Sequence, residues 1–163
     1  GSILYHNGYV SGGLPGAHGA YIQNSSGTFT VSKSIAFNNF NDGFKNLSAT
    51  GDAINVIFDS DVSFNSGSPP VSLSNRLRRW NMIIGADAGI VDSCQITNSY
   101  LYHKQDTVGT NIKLGYSAGN NGAITITGNR IMGGTQQLDI DKFSPITFTS
   151  NTLAFSRRTL TPR

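Results

Sequence analysis

Not one glutamate occurs among the 163 residues; all nine acidic side chains are Asp. Ala, Leu and Lys, the other residues that fill surface helices, are also scarce, which disfavours a helical protein. A single cysteine, Cys94, excludes an internal disulfide and any zinc site built on cysteines. Its setting, Ile90-Val91-Asp92-Ser93-Cys94-Gln95-Ile96, is strand-like and suits a buried structural thiol. No apolar run approaches the length of a membrane span, and the first residues do not read as a signal peptide. No membrane association is expected. No His-x-x-x-His spacing offers a metal pair.

What is present points one way. Gly (19 residues), Asn, Ser, Thr and β-branched residues dominate: Asn and Gly serve tight turns, the β-branched and aromatic residues serve strands. This is an all-β composition. A hydrophobic content of 37% with 10% aromatics is enough to bury a core, so disorder is excluded. The length suits one domain, expected over 1–155, followed by a basic tail over 156–163 that holds Arg157, Arg158 and Arg163. The net charge of +3 is too dispersed to suggest nucleic acid.

The chain repeats itself. Ala123-Ile124-Thr125-Ile126-Thr127-Gly128-Asn129-Arg130-Ile131 matches Pro145-Ile146-Thr147-Phe148-Thr149-Ser150-Asn151-Thr152-Leu153 in pattern, at a spacing of 22. Earlier copies run through Phe29–Phe37, Val56–Phe64 and the segment ending at Tyr102. The polar corner between the paired strands then falls at Ser34, Asp61, Asn98, Asn129 and Asn151, at spacings of 27, 37, 31 and 22. Short polar side chains suit a left-handed corner, and stacked amides can bond from one copy to the next. A third strand precedes each pair, and its alternation puts Ala20 and Ile22, Met82 and Ile84, Ile112 and Leu114, and Leu138 and Ile140 on one face. A variable period with a minimum near 22 predicts a solenoid: a right-handed parallel β-helix of about five rungs, three strands per rung. With strands about 4.8 Å apart, the column would be on the order of 24 Å long. The alternative, an antiparallel sandwich, predicts hairpin turns between the paired strands. The two Asn-Gly pairs, Asn7-Gly8 and Asn121-Gly122, lie elsewhere.

The stretches Ile3-Leu4-Tyr5-His6-Asn7-Gly8-Tyr9 and His18-Gly19-Ala20-Tyr21-Ile22-Gln23-Asn24 resemble secreted bacterial proteins of the pectate lyase-like β-helix class. Ile83-Ile84-Gly85, Leu114-Gly115-Tyr116-Ser117 and Gly128–Gly134 look like later rungs of the same group. The resemblance reaches to about Phe155 and implies an extracellular or cell-surface setting. Similar proteins usually carry a cap upstream of the first rung and further rungs after the last Asn-Thr strand. Against that pattern the chain reads as a core segment or a short variant.

In that class the sheet after the long loops lines a carbohydrate groove. Its outward positions here would be Tyr21, Lys45, Ile83, Lys113 and Asp139. Lys45 and Lys113 would neutralise a uronate carboxylate and Tyr21 would stack on a sugar ring; the competing reading is ordinary surface polarity. His18, just before a strand, borders the same groove, or is a loop histidine bonded to backbone. His6 and His103, each after a Tyr, mark a repeated corner. The long insertion from Asn65 to Trp80 brings Arg79 and Trp80, types that favour anions and flat rings, although Trp80 also suits the core edge. No catalytic residue stands out. Calcium would require clustered carboxylates, and Asp139 with Asp141 do not make such a site, so no cofactor or metal is expected. A hydrolase would need two opposed carboxyl groups, and no spacing of Asp42, Asp139 and Asp141 demands that.

The resemblance implies a carbohydrate-associated protein that binds or cleaves an acidic polysaccharide, cleavage being lyase-type β-elimination. The competing expectation is a non-catalytic structural or adhesion module, or a truncated β-helix with an incomplete site, which the missing Glu and sparse carboxylates favour. Exposed helix ends predict a homodimer burying Leu138, Ile140, Phe148 and Phe155; the alternative is a monomer capped by its own tail.

Overall fold

The computed structural model describes residues 1–11, 14–67, 80–104, 109–116 and 121–154. Among them every regular element is a strand, and no helix is long and apolar enough to cross a membrane. The chain opens with β1 (Ile3–Tyr5) and a short antiparallel hairpin of β2 (Tyr9–Ser11) and β3 (Leu14–Gly16). A first pass follows through β4 (Ala20–Ile22), β5 (Phe29–Ser32) and β6 (Ile35–Phe37). The second has β7 (Phe44–Ser48), β8 (Ala53–Ile54), β9 (Val56–Asp59) and β10 (Val62–Phe64). The third has β11 (Trp80–Ala86), β12 (Val91–Asp92), β13 (Cys94–Thr97) and β14 (Tyr100–His103). The fourth has β15 (Thr110–Leu114), β16 (Ile124–Thr127) and β17 (Arg130–Gly133), and the fifth β18 (Gln136–Ile140), β19 (Ile146–Thr149) and β20 (Thr152–Ala154).

Successive passes deposit their strands in the same three sheets, in the same order. The first sheet runs β4-β7-β11-β15-β18, the second β5-β9-β13-β16-β19, and the third β1-β6-β10-β14-β17-β20. Every pairing in these sheets is parallel, which excludes the antiparallel sandwich. The fold is all-β with parallel strands in stacked sheets, an arrangement compatible with a parallel β-helix.

Period-two alternation builds the interior. Inward rows of the first sheet align Ala20, Phe44, Met82, Ile112 and Leu138, and then Ile22, Asn46, Ile84, Leu114 and Ile140. The second sheet answers with Val31, Phe58, Ile96, Ile126 and Phe148, and the third with Ala36, Ser63, Leu101 and Ile131. Phe58, Met82, Ile84, Ile96, Leu101, Ile112 and Ile126 are wholly buried. Cys94 is buried as well, and desolvation pushes its thiol up to about 12, so it stays protonated and structural. Outside the third sheet, Tyr5, Phe37 and Phe64 stack ring on ring, with centroids 5.0 and 4.9 Å apart.

The corner between the second and third sheets is a hydrogen-bonded ladder. The Ser34 N–H donates to Asp61 Oδ1 (2.8 Å), Asp61 N–H to Ser99 Oγ (3.1 Å), Ser99 N–H to Asn129 Oδ1 (2.8 Å), and Asn129 N–H to Asn151 Oδ1 (2.9 Å). The expected equivalence of Asn129 and Asn151 holds. Two expectations need correction. In the third pass the ladder residue is Ser99, one after Asn98. The left-handed backbone falls on the residue before each ladder position: Lys33, Ser60, Asn98, Gly128 and Ser150 (φ 53, 58, 51, 70 and 55°). The side chain reaches across because the turn has already been made.

Candidate functional site

Along the outer face of the first sheet one row is in continuous register: Tyr21 beside Lys45, Lys45 beside Ile83, Ile83 beside Lys113, Lys113 beside Asp139. The outward assignment made from alternation is therefore geometrically sound. Its chemistry is uneven. Lys113 Nζ lies 3.0 Å from Asp139 Oδ2, so that cation is already paired. No carboxylate among the described residues pairs with Lys45, whose ammonium lies 5.3 Å from the Tyr21 ring centroid and 5.8 Å from that of Tyr116. Cation–π attraction holds the ammonium between two rings that are themselves 48% and 38% exposed.

The repeat does not mark Tyr116 as a site residue, because it follows β15 and belongs to no repeated strand. Its position depends on Gly85, two residues beyond Ile83 on the same face. A Cβ there would come within 2.8 Å of the Tyr116 nitrogen, so only glycine lets the later segment cross over β11. Ile83 is wholly buried despite facing outward. Tyr21 O–H donates to the Leu47 carbonyl (3.4 Å), and burial, together with the Asp87 carboxylate, raises its phenol above the ordinary value. Tyr21 thus presents a neutral hydroxyl.

At the start of the same sheet, Gly19 N–H donates to the Asp42 carbonyl (2.9 Å), which aligns His18 with Asp42 in the next pass. His18 Nδ1 lies 2.8 Å from Asp42 Oδ2, and the carboxylate is fully buried. The contact lies off hydrogen-bond geometry, so it is a close approach and not a directed bond. The His18 ring also meets Tyr21, with centroids 5.8 Å apart at 55°. His18, Asp42, Tyr21, Lys45 and Tyr116 form one continuous patch. His18 and Asp42 each stand out in the sequence, but nothing in the spacing announces that they touch.

Trp80 opens β11 opposite Thr110, half-buried at the sheet margin. Arg79, Phe155 and the tail 156–163 lie outside the described residues. Among the described residues no group of three or more His, Cys, Asp or Glu is placed to hold a metal ion. Comparison with family models, with curated proteins and with solved structures finds no match for this chain.

Proposed function

We propose that the chain is a right-handed parallel β-helix of the pectate lyase-like kind whose first-sheet face binds an acidic polysaccharide. One observation carries this reading: a lysine ammonium with no carboxylate partner among the described residues, held between two exposed tyrosine rings on a parallel-sheet face. A uronate offers a carboxylate to the cation and an apolar ring face to the aromatics, so the two parts of the site suit the two parts of one sugar. Successive strands about 4.8 Å apart also present a repeating surface to a polymer. An extracellular or cell-surface setting belongs to the same reading.

Titration calorimetry with oligogalacturonate and oligomannuronate tests it. Binding is expected, weakening as salt screens the exposed charge. Lys45→Ala should lower affinity at least tenfold, and a neutral oligosaccharide of the same length should bind poorly. Equal binding by wild type and Lys45→Ala would place the groove elsewhere. A purely structural module, the other reading, would bind neither uronate.

A further inference from the structure

The outer face of the second sheet carries two rows of polar side chains, and they differ in how they are used. The row from Asp59 to Thr149 is saturated from within. Thr97 O–H donates to Asp59 Oδ1 (2.7 Å), the Asn98 amide donates to the same oxygen (3.0 Å), and the Thr127 and Thr149 hydroxyls bond to each other (2.9 Å). The row two residues earlier sets Ile57 beside Gln95 and Gln95 beside Thr125. Among the described residues the side chains of Gln95 and Thr125 have no hydrogen-bond partner, and neither do those of Asn55 and Thr28 at the adjoining corner. All of these line one open hollow of ≈260 Å³. The space is left because Ser93 and Ala123, which follow Asn55 along that corner in the next two passes, carry side chains too small to fill it.

The lining selects among ligands. Among the described residues no charged side chain lines the hollow, so an ion finds no counter-charge there. The neighbouring Asp92 carboxylate is taken up by the Ala123 N–H (2.6 Å) and the Ser93 hydroxyl (3.2 Å). The strands under the hollow, β9, β13 and β16, are interior to their sheet, so their backbone groups are spent in the ladder and a peptide strand cannot pair with them. What remains is two amides, each both donor and acceptor, two hydroxyls, and the half-buried apolar side chain of Ile57. That set suits a neutral ligand rich in hydroxyls with one C–H face. The volume is below that of a pocket for a drug-sized molecule, which fits one ring and not a chain. From this geometry we infer that the hollow binds a single neutral sugar unit. Asn55, Gln95, Thr28 and Thr125 meet its hydroxyls, and Ile57 lies beneath its ring. The site is on a different sheet from Tyr21 and Lys45 and does not rest on the uronate reading. A small uncharged ligand of this kind binds weakly, with a Kd on the order of 1 mM.

The test titrates the full chain with methyl β-glucoside, methyl β-galactoside and methyl α-mannoside, following saturation transfer to the sugar and the side-chain amide signals of the nitrogen-15-labelled protein. At least one glycoside is expected to bind, shifting the Asn55 and Gln95 amides, with an affinity that salt does not change because no charge is involved. Gln95→Ala, at an exposed position, should weaken binding about fivefold, the worth of a lost hydrogen bond, and leave the melting temperature unchanged. Ala123→Leu should abolish binding by filling the hollow. If Ala123→Leu fails to fold, Gln95→Ala and Thr125→Ala decide alone. Lys45→Ala should leave the glycoside affinity as it is, and Gln95→Ala should leave any uronate affinity as it is, so the two sites fail or stand separately. No binding of any of the three glycosides at about 50 mM, well above the expected Kd, overturns the inference. Binding that Gln95→Ala and Ala123→Leu, or Gln95→Ala and Thr125→Ala, leave unchanged overturns it equally.

Discussion

Asn129 shows what a ladder position requires. Its Oδ1 accepts from Ser99 N–H, and its Nδ2 donates to the Ile96 carbonyl (2.9 Å) and to Asn151 Oδ1 (2.9 Å). Asn129→Val strands a buried N–H and a buried carbonyl, so a loss of about 2–3 kcal/mol is expected in denaturant unfolding. The left-handed turn belongs to Gly128 instead (φ 70°), where an added Cβ would also come within 2.7 Å of Asn98 Oδ1. Asp61 occupies the same position with the wrong chemistry. Its Oδ1 accepts from Ser34, but Oδ2 is buried with no partner, where asparagine would place a donor. Burial raises its carboxyl to about 6; the Ser34 N–H and the N-terminal ammonium oppose the rise, and Asp59 adds to it. The folded protein therefore holds a proton between about pH 4 and 6 that the unfolded chain releases, with 3.8 as the ordinary value. That stabilisation is complete below the unfolded value and is lost as pH rises through 6, amounting to about 3 kcal/mol. Asp61→Asn should leave the melting temperature near pH 4 little changed, raise it at pH 7, and flatten the decline between. A variant with the wild-type pH slope would show that Asp61 is already satisfied as an anion.

Strands and their faces were the legible elements. Because side chains alternate, Tyr21, Lys45, Ile83, Lys113 and Asp139 share one outward row whatever the length of the intervening loops. What alternation cannot convey is pairing across passes separated by loops of unequal length. The His18–Asp42 contact, the passage of Tyr116 over Gly85 and the shift of the third corner to Ser99 all depend on where each loop ends. Asn46 is a further surprise: it stands in an inward row where apolar residues were expected, its Nδ2 3.8 Å from Cys94 Sγ. The first sheet also makes a prediction of its own. Lys113 is withheld from any ligand by Asp139, while Lys45 is not. Asp139→Asn releases Lys113 at little cost to stability, since the pair is partly exposed. Uronate affinity measured by calorimetry should then rise severalfold, and Lys113→Ala in the wild-type background should change it little. The opposite pattern would make Lys113 the principal anchor.

At the scale of the whole molecule, the inward rows stop while their chemistry does not. Phe148 continues the row of Phe58, Ile96 and Ile126, yet it is 37% exposed, and Ile140 in the neighbouring sheet is 49% exposed. At the opposite end Leu4, Ala20, Ile22, Phe29 and Val31 line an open hollow of ≈430 Å³. The strands β18, β19 and β20 at one end, and β1, β4 and β5 at the other, are outermost in their sheets. An outermost strand carries free backbone donors and acceptors and is a template for pairing. Head-to-tail stacking of copies would continue the parallel sheets but would not close, giving filaments; a two-fold contact closes. The two-fold arrangement covers only one kind of end per protomer, so a dimer leaves the other end of each column open. The end built from β18, β19 and β20 is the better surface for it, because Leu138, Ile140 and Phe148 project as side chains there while the other end is a hollow. Light scattering across a dilution series should therefore give a dimer that dissociates on dilution. Phe148→Asp, at a site already partly open to water, should give a monomer with an unchanged circular dichroism spectrum. A wild-type protein that stays monomeric at high concentration would mean that these ends are covered within the chain itself, and growth beyond two copies on concentration would favour the open stack.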